Sequence, residues 1–570
     1  MGLLDRGRQL LGGALEVAEQ VAPGWALRRE VARARRGFLA QGYSQHGASR
    51  SNKAMAGWVT ARGGPDADIT LNLDLLRQRS RDLFMGEPLA SGALRTIRTN
   101  ELGAGLRLNA QIDARLLGLT DEQALAWEEH TEREFALWAG TSACDSARRC
   151  NFGELQELAR LSQLMSGDVF ALLPAIDRGD RYDLRVKLLE ADRVCDPWPY
   201  PVGKNVLGGV EVGEDGEAIA YYVTKIHPGD LFLPGTLGGY GAFAYGAVSM
   251  PPLTEGGIYG AQWNKWERID AYGAETGRRT VLHIMDSERP GQRRGVPVLA
   301  AVMERFKQLS RYSDAEIMAA VVSGFFTVAI TSEQAQAQPG TVLPPGQVVS
   351  DPTDPTGDKA VQLGNGTIME LAPGEKVEGI NPARPSAQFE PFVSAVCRQI
   401  AAGLPGMTYG LLLKTFNASY SASRAELLEA WKSFTVGRRR IAERFCQPIY
   451  EQWLEEAILR GYIDAPGFFS DPVIRAAWCG AEWHGPAQGQ LDPTKEVAAA
   501  EARVAGGFST RTRETAELTG GNWERNARVR EREERIRRET GVIPSVTPPT
   551  GSGADPEAPG GASTDDKAAK

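Results

Sequence analysis

Cysteine is sparse and unpaired in this sequence. Its six cysteines, Cys144, Cys150, Cys195, Cys397, Cys446 and Cys479, are scattered over 570 residues, and none forms a C-x-x-C pair. A chain this long needs no disulfide framework, so reduced thiols in a cytoplasmic setting are expected. Histidine is equally thin, at five residues. His484 lies close after Cys479, but no second pair accompanies them, so neither a metal site nor a cofactor is expected. Long apolar runs are missing too: nothing approaches the ~18 residues of a membrane-crossing helix. The opening stretch MGLLDRGRQLLGGALEVAEQVAPGW is broken by charges and lacks a signal-peptide layout, and Arg6 breaks the myristoylation pattern. Positive charge is not in excess, since 64 Lys and Arg stand against 72 Asp and Glu, a net charge of −8. Tight sequence-blind DNA binders are usually basic, so any contact with DNA must be weak or local.

Catalytic motifs are also wanting. The sequence holds no G-x-x-x-x-G-K-[ST], no H-E-x-x-H and no G-x-S-x-G. GYGAFA at 239–244 imitates a dinucleotide fingerprint, but Pro251 and Pro252 follow too soon for a crossover helix. Adjacent carboxylates such as Glu128/Glu129 and Asp566/Asp567 read as exposed charge. No nucleophile is nominated together with a base. A structural or assembly role therefore outranks catalysis, and no enzyme is expected.

What is present is ordinary globular material, 42% hydrophobic and 24% charged. The length exceeds what one core supports, so two to four domains are expected. Residues 1–60 read as an arm whose basic segment WALRREVARARRGFLA is either a solvated helix face or a contact for an acidic partner. From 61 to 290 helical segments give way to strands. Thr120 and Gln123 form a capping box, Asp168–Leu173 reads as a strand, and a turn falls at Glu214-Asp215-Gly216. This is an α+β pattern. The longest helical signal begins at Pro297, with Leu299, Val302, Met303, Phe306 and Leu309 on one face. A Pro/Gly-rich excursion with short β signals fills 331–385. Phe389, Phe392, Val396 and Ile400 mark a further helix over 386–404. After a polar loop, Ser423 and Glu426 predict a capping box opening a long helix, which Pro448 should kink. Short Gly-punctuated helices occupy 490–540, and the composition of 541–570 predicts disorder.

Six stretches, in order, resemble the lambda-type portal proteins of tailed bacteriophages. They begin with SRDLFMGEPLASGALRTIRTNELGAGLRLNAQID, LMSGDVFALL with VKLLEADRV, and GVEVGEDGEAIAYYVTKIHPGD. VLHIMDSERPGQRRGVPVLA, NASYSASRAELLEAWKSF and AEWHGPAQGQLDPTKEVAAAEARVAGGFSTRTRETAELTGGNWE complete the series. The likeness runs over roughly residues 30–535. It implies a portal fold assembled as a ring, typically a dodecamer, at one capsid vertex, with a central tunnel for packaging and ejecting double-stranded DNA. The parts it implies are a wing (61–290), a first stem helix (291–330), a small mixed α/β clip (331–385), a second stem helix (386–404) and a tunnel loop (405–423). A long kinked helix with a wing return (424–489) and a helical crown (490–540) come after these. Implied partners are the chain itself, double-stranded DNA, the large terminase subunit, a head-tail adaptor, and the major capsid and scaffold proteins, with no membrane. The place implied is the virion, after assembly in the host cytoplasm. A portal of a gene transfer agent or defective prophage fits equally. A capsid-assembly protease or nuclease, or a cytoplasmic nucleic-acid-binding module, would need a catalytic constellation or a basic face.

Within that resemblance, Tyr409, Lys414, Asn417, Ser419 and Tyr420 are the candidate DNA-contacting residues of the tunnel loop. One lysine per subunit gives a weak contact repeated round the ring, which suits DNA that must slide. The acidic net charge points the same way. Two readings stay open: Leu411–Leu413 and Phe416 would instead pack the loop on a neighbour, and Lys414 would pair with a carboxylate. Trp127, Trp138 and Trp431 are open in the same way, between a ring interface and an intramolecular core.

Overall fold

The computed structural model describes residues 62–541, except 198–199, 231–265, 326–328, 333–374, 379–387, 417–418 and 489–492, together with isolated positions before residue 62. The basic segment 25–40 (Val31 apart), the stretch 239–244, most of the 331–385 excursion and the tail after Gly541 lie outside the described residues. The chain divides into two units, Met1–Gly64 and Pro65–Lys570, and the second holds the sheets, the cores and the long helices.

Helix α1 (Leu73–Gly86) and α2 (Pro88–Leu102) are separated only by Glu87, where Pro88 starts the second helix without needing its missing N–H. Strand β1 (Arg107–Ala110) comes next. Helix α3 (Asp121–Ala139) starts in the expected box, with both Thr120 and Gln123 hydrogen bonds formed. Asn151 and Glu154 make a second box at the head of α4 (Phe152–Ser166). Gly167, at φ 92°, then turns the chain into β2 (Asp168–Leu172), and a Cβ there would lie 2.4 Å from the Gly295 carbonyl oxygen.

The strands form small antiparallel sheets. β2 lies between β3 (Lys187–Glu190) and β8 (Val281–Met285). The second sheet runs β4 (Val206–Leu207), β5 (Val210–Val212), β6 (Ala218–Thr224), β7 (Trp266–Asp270), with the predicted turn before β6. Phe170, Leu189 and Val281 of the first sheet share a core with Val210, Tyr221 and Val223 of the second.

The long helix predicted from Pro297 starts later than its periodicity suggests. Pro297 precedes a single 3-10 turn, Val298–Ala301, and α5 runs Met303–Phe325. Leu299, Val302, Phe306 and Leu309 are buried as expected. Strands β9 (Ala329–Ser332) and β10 (Glu375–Glu378) pair at the base of the excursion. Helix α6 (Phe389–Ala402) returns beside α5, with Tyr312 stacked 5.6 Å from Phe389 and tilted 4.6 Å from Phe392.

After α6 come α7 (Tyr409–Leu413) and α8 (Tyr420–Ile441). A π-turn, Ala442–Cys446, links α8 to α9 (Gln447–Leu459). Pro448 has no N–H to donate and crowds the preceding turn, and the helix takes this up as a widened turn. Helix α10 (Pro472–Trp478) leads to β11 (Ala481–His484), which pairs with β1 from Arg107↔His484 to Ala110↔Ala481. Helices α11 (Pro493–Ala505), α12 (Arg511–Thr519) and α13 (Trp523–Thr540) complete the order.

The largest core is aromatic. Phe135 meets Phe152, Tyr450 and Trp453 edge-on, with centroids 5.6, 5.7 and 5.0 Å away. The three tryptophans considered for an interface pack within the chain. Trp138 is 2% exposed and donates to the Leu184 carbonyl at 3.1 Å. Trp127 leans on Trp478 and donates to the Asp464 carbonyl, and Trp431 packs against the core that holds α2, α5, α6 and α8.

Candidate functional site

The segment read as a polar loop is partly a helix. Thr408 caps α7 by accepting from the Leu411 N–H at 3.2 Å, and Leu412 is buried in the core shared with α2 and α6. Its three leucines, Leu411–Leu413, pack within the chain, where the alternative reading places them against a neighbour. Tyr409 is half-buried: its hydroxyl hydrogen-bonds Ser394 Oγ at 3.1 Å, and the Arg398 guanidinium sits 5.1 Å above its ring. Tyr409 thus roots the segment on α6.

Lys414 ends α7 in the left-handed conformation, φ 54° and ψ 37°, and is exposed. A side chain costs roughly 1 kcal/mol there, and glycine or asparagine is the usual occupant. Among the described residues Lys414 makes no ion pair. Phe416 is 54% exposed beside it. Asn417 lies outside the described residues, and of Tyr420 only the backbone is described, as the first residue of α8.

The helix after the loop does not begin at the Ser423–Glu426 box. Ser419, in an extended conformation, accepts from the Ala422 N–H at 3.4 Å and is the cap. Ser423 lies in the next turn, its own N–H already bonded to the Ser419 carbonyl, so it has no free helix end to close. Glu426 is exposed, and its carboxylate lies 3.1 Å from where a Gly410 Cβ would stand.

Two buried ionic hubs that no local pattern announced lie elsewhere in the fold, one joining α1 and the approach to α5 to β2 and β8, the other joining α2 to α4. Fully buried Asp168 accepts from Arg77 (3.0 Å), Arg294 (2.6 and 3.1 Å), the Gly295 N–H (3.1 Å) and His283 (3.3 Å). Burial alone would raise its pKa, yet Arg294 and Arg77 hold the carboxyl well below the usual range. Burial pushes the His283 imidazole down, against the pull of Asp168. In the second hub Arg160 grips Glu101 with two bonds of 2.6 and 2.7 Å. Gly437 of α8 passes so close that a Cβ would stand 1.8 Å from Glu101 Oε1.

Glu190, Asp192 and His227 come together closely enough to suggest a metal. Their chemistry argues otherwise. His227 Nδ1 accepts the Gly229 N–H at 3.0 Å, so the ring proton sits on Nε2, the atom facing the carboxylates. Arg81 already pairs with both Glu190 and Asp192. The trio is an ion-pair cluster with no lone pair offered by its histidine.

Comparison with known proteins leads to the same family. The family model for phage portal proteins of the lambda family matches residues 51–438. The chain belongs to that family. It is similar to portal protein B of Escherichia phage lambda, 25% identical over 87% of this chain and 90% of that one. The portal protein of Escherichia phage N15 is 25% identical, with 86% and 89% covered. A solved structure of the neck of an empty gene transfer agent particle aligns over 78% of this chain and 94% of its own, at 16% identity and a TM-score of 0.38, too loose to bear on the fold. Membership makes the chain a phage portal protein, a component of the virion. Among the described residues no helix is long and apolar enough to cross a membrane.

Proposed function

We propose that the chain assembles into a closed ring, typically of twelve copies, at one capsid vertex, and that double-stranded DNA passes through its centre during packaging and ejection. Family membership supports the portal role, and one observation supports the ring. The first turns of α5 bury Phe306 and Leu309, but further along the same helix Ile317, Met318 and Val321 are 63, 63 and 49% exposed. A helix apolar on an open face is suited to a head-to-tail interface with the next subunit.

On this reading, 61–290 and 424–489 are the wing, α5 and α6 the stem pair, 331–385 the clip, 405–423 the tunnel loop and 490–540 the crown. The large terminase subunit, then a head-tail adaptor, dock on the ring, with capsid and scaffold proteins around it. The chain supplies no catalytic step, and the energy for packaging comes from the motor.

Lys414, Asn417, Ser419 and Tyr420 line the tunnel as weak, sequence-independent contacts. The strained backbone of Lys414 supports that role: glycine would serve the fold at less cost, and what lysine adds is an exposed charge. Native mass spectrometry with negative-stain imaging of the purified protein tests the proposal. Rings with a central hole are expected. A compact dimer with measurable hydrolase activity would refute it.

A further inference from the structure

Helix α13 adds nothing to any core, because none of its residues is buried. A helix polar on every face is held by its own ion pairs or serves a partner. Its sequence, WERNARVREREERIRRET, carries seven arginines, five glutamates and no lysine. Part of that charge is used internally. Arg537 pairs with Glu534 at 2.8 Å, and Arg528 reaches Glu129 of α3. In the neighbouring helices Arg503 pairs with Glu514 at 2.6 Å and Arg513 with Glu517 at 2.9 Å, while Arg511 lies over the Trp523 ring. Arg525, Arg532 and Arg535 make no ion pair among the described residues.

These three and Arg528 fall on one face. At 100° per residue they span an arc of about 80° and a rise of about 15 Å. All four are exposed. Val529 and Ile536 border the stripe, Glu524 and Glu531 flank its other edge, and Glu539 closes it. The helix is firmly built to present them, with Asn522 accepting from the Arg525 N–H at 3.0 Å and Gly541 closing the far end at φ 67°.

We propose that this stripe is a second contact for the phosphate backbone of duplex DNA, separate from the tunnel loop. The choice of duplex DNA as the polyanion rests on the portal reading; the charge complementarity comes from the helix. A duplex carries one charge per ~1.7 Å of axis, so a 15 Å row of guanidiniums faces several phosphates. Arginine forms bidentate bonds to phosphate and is less tightly hydrated than lysine. The stripe is a local exception in a chain of net charge −8. Three neutralised phosphates contribute a slope of about −2.7 to log K against log salt, roughly a fortyfold loss of affinity between 50 and 200 mM salt.

The test is fluorescence anisotropy of a labelled duplex of unrelated sequence with the full chain, across a salt series. Wild type is compared with R525Q/R532Q/R535Q and R525K/R532K/R535K, with the single R532Q variant as a milder probe and circular dichroism to check the helix. The glutamine triple should flatten the slope by about 2.7 per bound copy, R532Q by about 0.9, and the lysine triple should retain most of it. Equal slopes for wild type and both glutamine variants, or no duplex binding at low salt, would overturn the proposal. So would self-association lost in the glutamine triple with duplex binding unchanged, which would give the stripe to a second copy. Imaging the same preparations separates the two readings. Rings with an unchanged slope overturn the stripe and leave the portal reading standing; a flattened slope without rings upholds the stripe and counts against the portal reading.

Discussion

Replacing Asp168 by alanine should destabilise this protein more than almost any other single carboxylate change. The side chain is completely buried and takes five hydrogen bonds from four donors, two of them arginines. Its removal strands both cations in different ways. Arg294 keeps the carbonyls of Val194 at 2.7 Å and Ala191 at 2.8 Å. Arg77 keeps the Ser166 carbonyl at 2.9 Å and a looser approach to Asp192 at 3.6 Å. Neither retains a carboxylate at hydrogen-bond distance. Breaking one buried pair costs about 3–5 kcal/mol, and with two cations exposed to the loss the upper end is expected. At 2–4 °C per kcal/mol for large domains, the melting midpoint should fall by roughly 10–20 °C. The assay is a thermal melt at pH 7.5, with Lys432→Ala as control, since Lys432 and Glu429 are both 74% exposed and their pair is worth under about 1 kcal/mol. Acid dependence has a definite sign. Asp168 is depressed in the fold, so its contribution is complete above about pH 4, the unfolded carboxyl range, and fades below it. His283 is also depressed, so the unfolded chain takes its proton first and stability falls as pH drops below about 6.5. A D168A melt within a few degrees of wild type would refute the view that this hub ties α1 and the approach to α5 onto the sheets.

Three further outcomes rest on particular contacts. Gly437→Ala, a change that normally stabilises a helix interior by up to about 1 kcal/mol, should instead lower the melting midpoint, because its Cβ would collide with Glu101 and disturb the Arg160 pair. Burial pushes the Glu132 carboxyl up to about 7, against the Ala110 N–H that it accepts and with Glu128 and Glu129 nearby. A raised carboxyl stabilises while protonated, so Glu132 contributes stability that is lost as pH rises from about 4.5 through 7, opposite in sign to His283, and the melting difference between wild type and Glu132→Gln should shrink over that range. Lys414→Gly should leave the melt unchanged or raise it by up to about 1 kcal/mol of stability while reducing DNA packaged per particle; a destabilised K414G, or one that packages normally, would remove the functional meaning given to the strained backbone.

How much of this was legible in the sequence depended on whether the cause was local. Leu299, Phe306 and Leu309 repeat at helical spacing and are buried as that spacing demands. Strand β6 and the turn before it are dictated by AIAYYVT and Glu214-Asp215-Gly216. The start of α8 was not decidable locally, because Ser419 and Ser423 are one helical turn apart and either can cap. What decides is the path of the chain: α7 ends at Lys414, and Ser419 arrives extended, with its hydroxyl placed for the first free N–H. Nor could local reading find the hub, since Asp168 stands 91 residues from Arg77 and 126 from Arg294. The same limit hid the β1–β11 pairing, which joins two short strands with no alternation strong enough to choose a partner. In the candidate loop the two kinds of cause separate residue by residue. Thr408, Tyr409 and Leu412 are accounted for by the chain's own packing, since each has a partner within it. Lys414 is not: its backbone is costly, its side chain is exposed, and nothing in the described structure rewards it. A residue that the fold does not need and even resists is best explained by something outside the subunit, and on the tunnel-loop proposal that partner is the DNA backbone.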